Sequence, residues 1–137
     1  MLLDTPISDI MTPDVITIGT GDTLRDALST FNNHNLRHAP VTANGRLVGM
    51  ISLVDLKKRP GSGFWDRSEV AGEFASLPVG RVMTQDPVSV QAEDSVGELA
   101  RIFAENEFHA VPVLEGERVV GIATTTDVIR YFLENLS

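Results

Sequence analysis

The sequence predicts a mixed fold, α/β of the α+β kind, made of two copies of one β-α-β-β-α unit. Three observations carry this. A seven-residue phrase occurs twice, as Gly49-Met50-Ile51-Ser52-Leu53-Val54-Asp55 and as Gly121-Ile122-Ala123-Thr124-Thr125-Thr126-Asp127. Sliding the chain so that Asp55 falls on Asp127 aligns residues 10–56 with 82–128 without a gap. Within each half, apolar residues follow a strand period, then a helical one, then a strand period again.

The elements follow in order. Ile7 to Met11 and Val79 to Met83 read as short helical turns ahead of Thr12-Pro13-Asp14 and Gln85-Asp86-Pro87, which are turn signals. Val15-Ile16-Thr17-Ile18 and Val88-Ser89-Val90 are rich in β-branched residues and predict short strands. Thr17 and Ser89 read as alternating strand residues. Thr23-Leu24-Arg25-Asp26 and Ser95-Val96-Gly97-Glu98 place a hydroxyl three residues before a carboxylate, the capping-box spacing of a helix start. Leu24, Ala27, Leu28 and Phe31, matched by Val96, Leu99, Ala100 and Phe103, form one apolar stripe per helix. His34 reads as a surface residue at a helix end.

Two strands come next in each half. Residues 38–42 and 110–114 each contain a proline, Pro40 and Pro112, which predicts an edge position or a late start to the ladder. Ala43-Asn44-Gly45-Arg46 is a hairpin turn, with Asn-Gly supplying positive φ, and Glu115-Gly116-Glu117-Arg118 is its twin. Arg46 and Arg118 read as solvated turn residues. Leu47 to Ile51 and Val119 to Ala123 return, and a last helix starts at the repeated phrase, running through Leu56 in one half and to about Leu136 in the other. The repeats are expected at 1–59 and 79–137, joined by a linker over 60–78. In it Lys57-Lys58-Arg59 suits a helix end, Pro60-Gly61-Ser62-Gly63 breaks the chain, and Phe64-Trp65 with Val70, Ala71, Phe74, Ala75 and Leu77 suggest a short amphipathic helix. Trp65 is expected to cover core or a subunit interface.

Composition narrows the function. A chain of 137 residues with net charge −8 lacks the clustered basic footprint of a nucleic-acid binder. No apolar run reaches the roughly 20 residues of a membrane helix, and Met1 to Pro6 do not resemble a secretory signal. Absence of cysteine removes disulfides, thiolate nucleophiles and cysteine metal sites. A cytoplasmic setting fits this composition. No nucleophile elbow, His-Glu-x-x-His pair or Gly-Lys-Ser/Thr phosphate loop is present, and His34, His38 and His109 have no metal spacing. No catalytic residue, resident cofactor or metal is therefore expected.

The repeated phrase is the candidate site. A helix mouth offers unpaired N–H groups and partial positive charge, which suit phosphate. Ser52 and Thr124 add a hydroxyl there. Asp55 and Asp127 lie one turn on, where a carboxylate can accept from both hydroxyls of a ribose. The same residues also satisfy the capping-box pattern, and the glycines ahead of them suit close packing.

The gapless tandem of these features, with both apolar-Pro-apolar strands and both Gly-x-x-Ser/Thr-x-x-Asp phrases, resembles the CBS domain family, and the pair resembles a stand-alone Bateman module. The resemblance implies two repeats about a pseudo-twofold axis, with two inter-repeat clefts that bind AMP, ADP, ATP or S-adenosylmethionine. It implies a homodimer forming a four-repeat disc and a regulated partner protein. Magnesium is implied only alongside a polyphosphate. The nucleotide-binding set it implies is Ser52, Asp55, Thr124 and Asp127, with Arg37, His38, Ala39 and Pro40, and with His109, Val111 and Pro112. Thr12, Thr84, Ile16 and Val88 are further cleft-lining candidates. Arg37 and His38 give the first repeat more positive charge than His109 and Ala110 give the second. A dimerisation scaffold with silent clefts is the alternative from another class.

Overall fold

The computed structural model describes residues 2–59, 63–64 and 73–136. The chain divides into two compact units: Ile16–Pro87, and Met1–Val15 together with Val88–Ser137. Each has a four-stranded sheet with helices packed on one face. The expected amphipathic segment around Trp65, Val70 and Ala71, and the break at Pro60 to Ser62, lie outside the described residues.

The elements are β1 (Thr12–Pro13), β2 (Ile18–Gly19), α1 (Leu24–His34), β3 (His38–Ala43), β4 (Arg46–Ser52) and α2 (Leu53–Lys57). Then come β5 (Lys58–Arg59), β6 (Gly63–Phe64), β7 (Thr84–Gln85), β8 (Val90–Gln91), α3 (Val96–Glu105), β9 (Ala110–Glu115), β10 (Arg118–Thr124) and α4 (Thr125–Asn135). Ile7–Asp9 and Val79–Arg81 are 3-10 turns, matching the expected helical turns. The basic run does fall at a helix end: α2 stops at Lys57, and Lys58–Arg59 continue as β5, paired with β6.

Both capped helices form as the spacing predicts. Thr23 accepts from the Asp26 N–H at 3.1 Å and Asp26 accepts from the Thr23 N–H at 3.5 Å. Ser95 accepts from the Glu98 N–H at 3.1 Å. Leu24, Ala27 and Phe31 of α1 are buried with Ile18, Ala39, Val41, Ile51, Leu56 and Val79 in one core. Leu99 of α3 is buried with Ile7, Val90, Val111, Val113, Ala123 and Val128 in the other. Burying such side chains removes roughly 1.5–3 kcal/mol of exposure cost apiece.

The strands expected at residues 15–18 and 88–90 are shorter and start later, at Ile18 and Val90. The chain spends residues ahead of them on a turn: Asp14 and Asp86 stand at φ 53° and 45°, a left-handed conformation that an aspartate tolerates better than a β-branched residue. The edge option for the proline strands is also corrected. The sheet orders are β2-β3-β4-β7 and β1-β10-β9-β8, so β3 and β9 are interior. Prolines fit because the second ladder begins late: β2 first pairs at Ile18 with Val41, and β8 first pairs at Val90 with Val113. Pro40 and Pro112 sit one residue before those ladders, where a missing N–H costs nothing.

The opening segment of each repeat folds with the other repeat's sheet. Strand β1 pairs with β10, Thr12 opposite Ile122, and β7 pairs with β4, Thr84 opposite Met50. The turns ahead of them are anchored in the same exchanged way. The Ile7 N–H donates to the Asp94 carbonyl at 2.8 Å and the Val79 N–H to the Asp22 carbonyl at 2.7 Å. Steric fit fixes the docking. A β-carbon on Gly49 would lie 2.8 Å from the Thr84 carbonyl oxygen and against the Met83 sulfur. One on Gly121 would lie 2.8 Å from the Thr12 carbonyl oxygen and against the Met11 sulfur. The glycine that opens each repeated phrase is thus where the exchanged edge strand and its leading methionine come too close for a β-carbon.

Candidate functional site

Each repeated phrase ends a central strand and starts a helix. In the Ile16–Pro87 unit, the Asp55 N–H donates to Ser52 Oγ at 3.1 Å, and Asp55 Oδ2 accepts from the Ser52 N–H at 3.1 Å. In the other unit, the Asp127 N–H donates to Thr124 Oγ1 at 3.1 Å, and Asp127 Oδ2 accepts from the Thr124 N–H at 2.9 Å. Both phrases are complete capping boxes. The cap engages Oδ2 and holds the carboxylate half-exposed at the helix mouth. It orients the aspartate and leaves Oδ1 outside the cap, so capping and ligand recognition are compatible.

The strand before the phrase is tied to the same mouth. The Leu53 N–H, first in α2, donates to the Arg37 carbonyl at 2.8 Å, and the Thr125 N–H, first in α4, donates to the His109 carbonyl at 3.0 Å. Arg37 and His109 are exposed beside their helix starts. His38 pairs across the ladder with Ser52, and Ala110 pairs with Thr124. An imidazole thus faces the cap of α2 where a methyl group faces the cap of α4.

Strand alternation sorts the remaining candidates. Residues directly opposite each other in an antiparallel ladder share a face, and neighbours along a strand do not. Ala39, Val41 and Ile51 turn into the core, at 1% exposure or less. His38, Pro40, Met50, Ser52 and Thr84 therefore share the opposite face. Val111 and Ala123 likewise turn into the second core, at 1% and 0% exposure. Ala110, Pro112, Ile122, Thr124 and Thr12 share the face opposite.

The sequence-derived set is thus divided by unit. Arg37, His38, Pro40, Ser52, Asp55 and Thr84 gather at one sheet. His109, Pro112, Thr124, Asp127 and Thr12 gather at the other. The side chains of Ala39 and Val111 are buried in their cores, so those residues can offer a ligand only backbone groups, and Pro40 and Pro112, on the other face, are buried as well. Ile16, half-buried, and Val88, 46% exposed, lie in irregular chain ahead of β2 and β8 rather than within strands. That Thr84 joins the sheet of Ser52, and Thr12 that of Thr124, escaped the sequence reading. The signal was present in the identical pairs Met11/Met83 and Gly49/Gly121, whose steric match the exchange requires.

Outside the site, Gln91 clamps the β9–β10 turn. Its Nε2 donates to the Gly116 carbonyl at 3.2 Å and its Oε1 accepts from the Gly116 N–H at 3.0 Å. Arg118 is exposed and pairs with Glu115 at 3.1 Å. Among the described residues, no helix is long and apolar enough to cross a membrane.

Known proteins share this arrangement. MJ1225 of Methanocaldococcus jannaschii is 33% identical over 130 residues, which is 92% of this chain and 46% of the relative. The crystal structure of MJ1225 superposes with a TM-score of 0.78 over 94% of this chain and 48% of that one, at 30% identity. The CBS domain of a CBS domain-containing membrane protein from Sphaerobacter thermophilus superposes with a TM-score of 0.80 at 32% identity, covering 95% of this chain and 89% of that one. The CBS domain pair of MJ0100, solved with 5′-methylthioadenosine and S-adenosyl-L-methionine, gives a TM-score of 0.75 at 25% identity, covering 95% of this chain and 97% of that one. The CBS domain model matches twice, over residues 7–61 and 79–134. Two matches, each running through one capped phrase and together taking in most of the chain, make this protein a member of the CBS domain family.

Proposed function

We propose that the chain is a non-catalytic regulatory module that binds an adenosine-containing ligand and signals its presence to a partner protein in the cytoplasm. The observation that carries this is the shared geometry of the two sheets. In each, a capped aspartate, a cap hydroxyl, a proline and a threonine gather at the sheet face turned away from that unit's own core. The prolines on it are buried, but the aspartates and cap hydroxyls are half-exposed and the threonines exposed. The carboxylates suit a ribose diol, and the helix-mouth N–H groups suit a phosphate or another polar 5′ group.

AMP, ADP and ATP are the leading ligands, because the Arg37 guanidinium adds positive charge near Ser52, and His38 a ring nitrogen opposite it, in a chain of net charge −8. S-adenosylmethionine is the second reading. It is favoured by the MJ0100 complex and by the second sheet, where Ala110 replaces the imidazole. Ligand binding that favours one arrangement of the repeats would bias a partner by population shift.

The partner set includes a second copy of this chain. Helix α4 and the residue that caps it present Ile129, Leu133 and Leu136 at 58%, 71% and 68% exposure. Arg130 and Glu134 flank this stripe one turn apart, so two antiparallel copies would set each arginine against the other's glutamate. Leu133→Glu should give a lighter particle by light scattering. An unchanged mass would exclude α4 as the interface.

The ligand test is calorimetric titration of AMP, ADP, ATP and S-adenosylmethionine into the native protein. At least one should bind saturably. Absence of heat and of any melting shift at millimolar ligand would leave the scaffold reading in its place.

A further inference from the structure

The two units share a backbone design but not a charge. By sequence, the Ile16–Pro87 unit holds eight lysines and arginines against seven aspartates and glutamates, a formal charge of +1. The other unit holds three against twelve, a formal charge of −9, and so carries all of the chain's net acidity. The contrast reaches the candidate sites. Residues 33–38 lead into β3 with Arg37 and no carboxylate. The matching residues 105–110 lead into β9 with Glu105 and Glu107, both exposed, and no lysine or arginine. Each stretch is fixed to its own helix mouth: the Arg37 carbonyl accepts from the first N–H of α2 at 2.8 Å, and the His109 carbonyl from that of α4 at 3.0 Å. Glu107 is two residues from that anchor, at most about 7 Å along the chain. That is inside the roughly 8 Å over which physiological salt leaves charges unscreened. The mouths differ in a second way. Ser52 is followed by Leu53 and Val54, but Thr124 is followed by Thr125 and Thr126. Thr126 is exposed, as Val54 is on α2. Hydroxyls hydrogen-bond to a polar group without drawing an anion from a distance.

We propose that the two capped aspartates serve ligands of different charge class. The Asp55 face takes an adenosine compound with an anionic 5′ group, such as AMP. The Asp127 face takes one whose 5′ group is neutral or cationic, a thioether or a sulfonium. This rests on the adenosine-ligand reading and turns its two alternative ligands into two simultaneous ones. On the first face the Arg37 guanidinium offsets the charge of a phosphate. On the second, Glu107 and the surrounding acidity disfavour a phosphate and favour a sulfonium, while Thr124 to Thr126 supply uncharged hydrogen-bonding groups.

The test is calorimetric titration of the full chain with AMP, an anion, with 5′-methylthioadenosine, which is neutral, and with S-adenosylmethionine, which carries a net positive charge. AMP should bind alongside either of the other two without displacing it. Asp55→Asn should weaken AMP about tenfold or more and spare the other two, and Asp127→Asn should do the reverse. Arg37→His/His38→Ala, which copies the second face onto the first, should weaken AMP about tenfold and leave S-adenosylmethionine unchanged. His109→Arg/Ala110→His in the Asp55→Asn background should bring AMP binding back, now at Asp127. AMP affinity should also fall severalfold between 50 and 300 mM salt, roughly as a charge-paired ligand does, while methylthioadenosine stays constant. AMP that follows Asp127, S-adenosylmethionine that follows Asp55, an Asp127 face that takes neither uncharged nor cationic probe, or mutual displacement would overturn this inference and leave the wider reading standing. If no adenosine compound binds at all, the reading fails and takes this inference with it. Should a variant not fold, displacement and salt dependence in the wild type decide alone.

Discussion

The two sheet units solve the same folding problem with different chemistry, most visibly at their hairpins. Between β3 and β4 the turn is Asn44-Gly45, both residues at positive φ, 52° and 80°. Backbone conformation alone closes it. Between β9 and β10 only Gly116 is at positive φ, 64°, and Gln91 reaches across from β8 with two hydrogen bonds to hold it. At the position of Gln91 the first repeat has Gly19, which cannot reach. By contrast, the residues that dock the exchanged strands, Met11/Met83 and Gly49/Gly121, are identical in both units. Turns tolerated divergence and the exchange did not. A turn can be stabilised in several ways, whereas a backbone lying on a backbone admits only glycine.

That contrast can be broken most forcefully at the docking glycines. Gly49→Ala or Gly121→Ala puts a β-carbon 2.8 Å from a carbonyl oxygen of the partner strand, which cannot rotate away. Each should cost about 2–3 kcal/mol or undock the strand, measured by urea denaturation. A loss below about 0.5 kcal/mol would show that the close approach is not obligatory.

The hairpins give a smaller and unequal effect. Gln91→Ala removes both clamp bonds and should cost about 1 kcal/mol. Gly45→Ala, at φ 80° with open space around it, should cost about 1 kcal/mol through backbone strain alone. The two losses should add, because the turns share no partner in either unit. Strong coupling between them in a double-mutant cycle would contradict independent closure.

Cap removal follows. Ser52→Ala and Thr124→Ala should each cost about 1 kcal/mol by melting or denaturation. The smallest effect is expected at the Arg118–Glu115 pair, whose side chains are 74% and 60% exposed. Arg118→Ala should change stability by less than about 0.5 kcal/mol and show no salt dependence beyond that.

Much of the fold was legible because its signals are local. The capping spacings at Thr23 and Ser95, the apolar stripes ending at Phe31 and Phe103, and the Asn44-Gly45 turn each declare an element within a few residues. The exchange was not legible, because β1 and β7 are two residues long and carry no period. Their pairing is decided by shape at Gly49 and Gly121, far away in sequence. The interior placement of β3 and β9 was hidden for a related reason. Pro40 argues against a ladder on one side, but only the late start of β2 shows that the side is unused. The candidate site was legible in its capped phrases. Its division was legible only in part: strand alternation separates Pro40 from Ala39 and Pro112 from Val111, yet alternation alone does not say which set meets the core.

The central claim is that the capped aspartates bind a ligand as well as holding their helices. Asp55→Asn/Asp127→Asn keeps side-chain size and an oxygen for the cap while removing both carboxylate charges. Titration of AMP and S-adenosylmethionine into wild type and this double variant, with melting temperatures alongside, tests the claim directly. The account predicts saturable binding to the wild type, a loss of at least about tenfold in the variant, and a nearly unchanged melting temperature. Equal affinity in both proteins would contradict it and reduce Asp55 and Asp127 to helix caps.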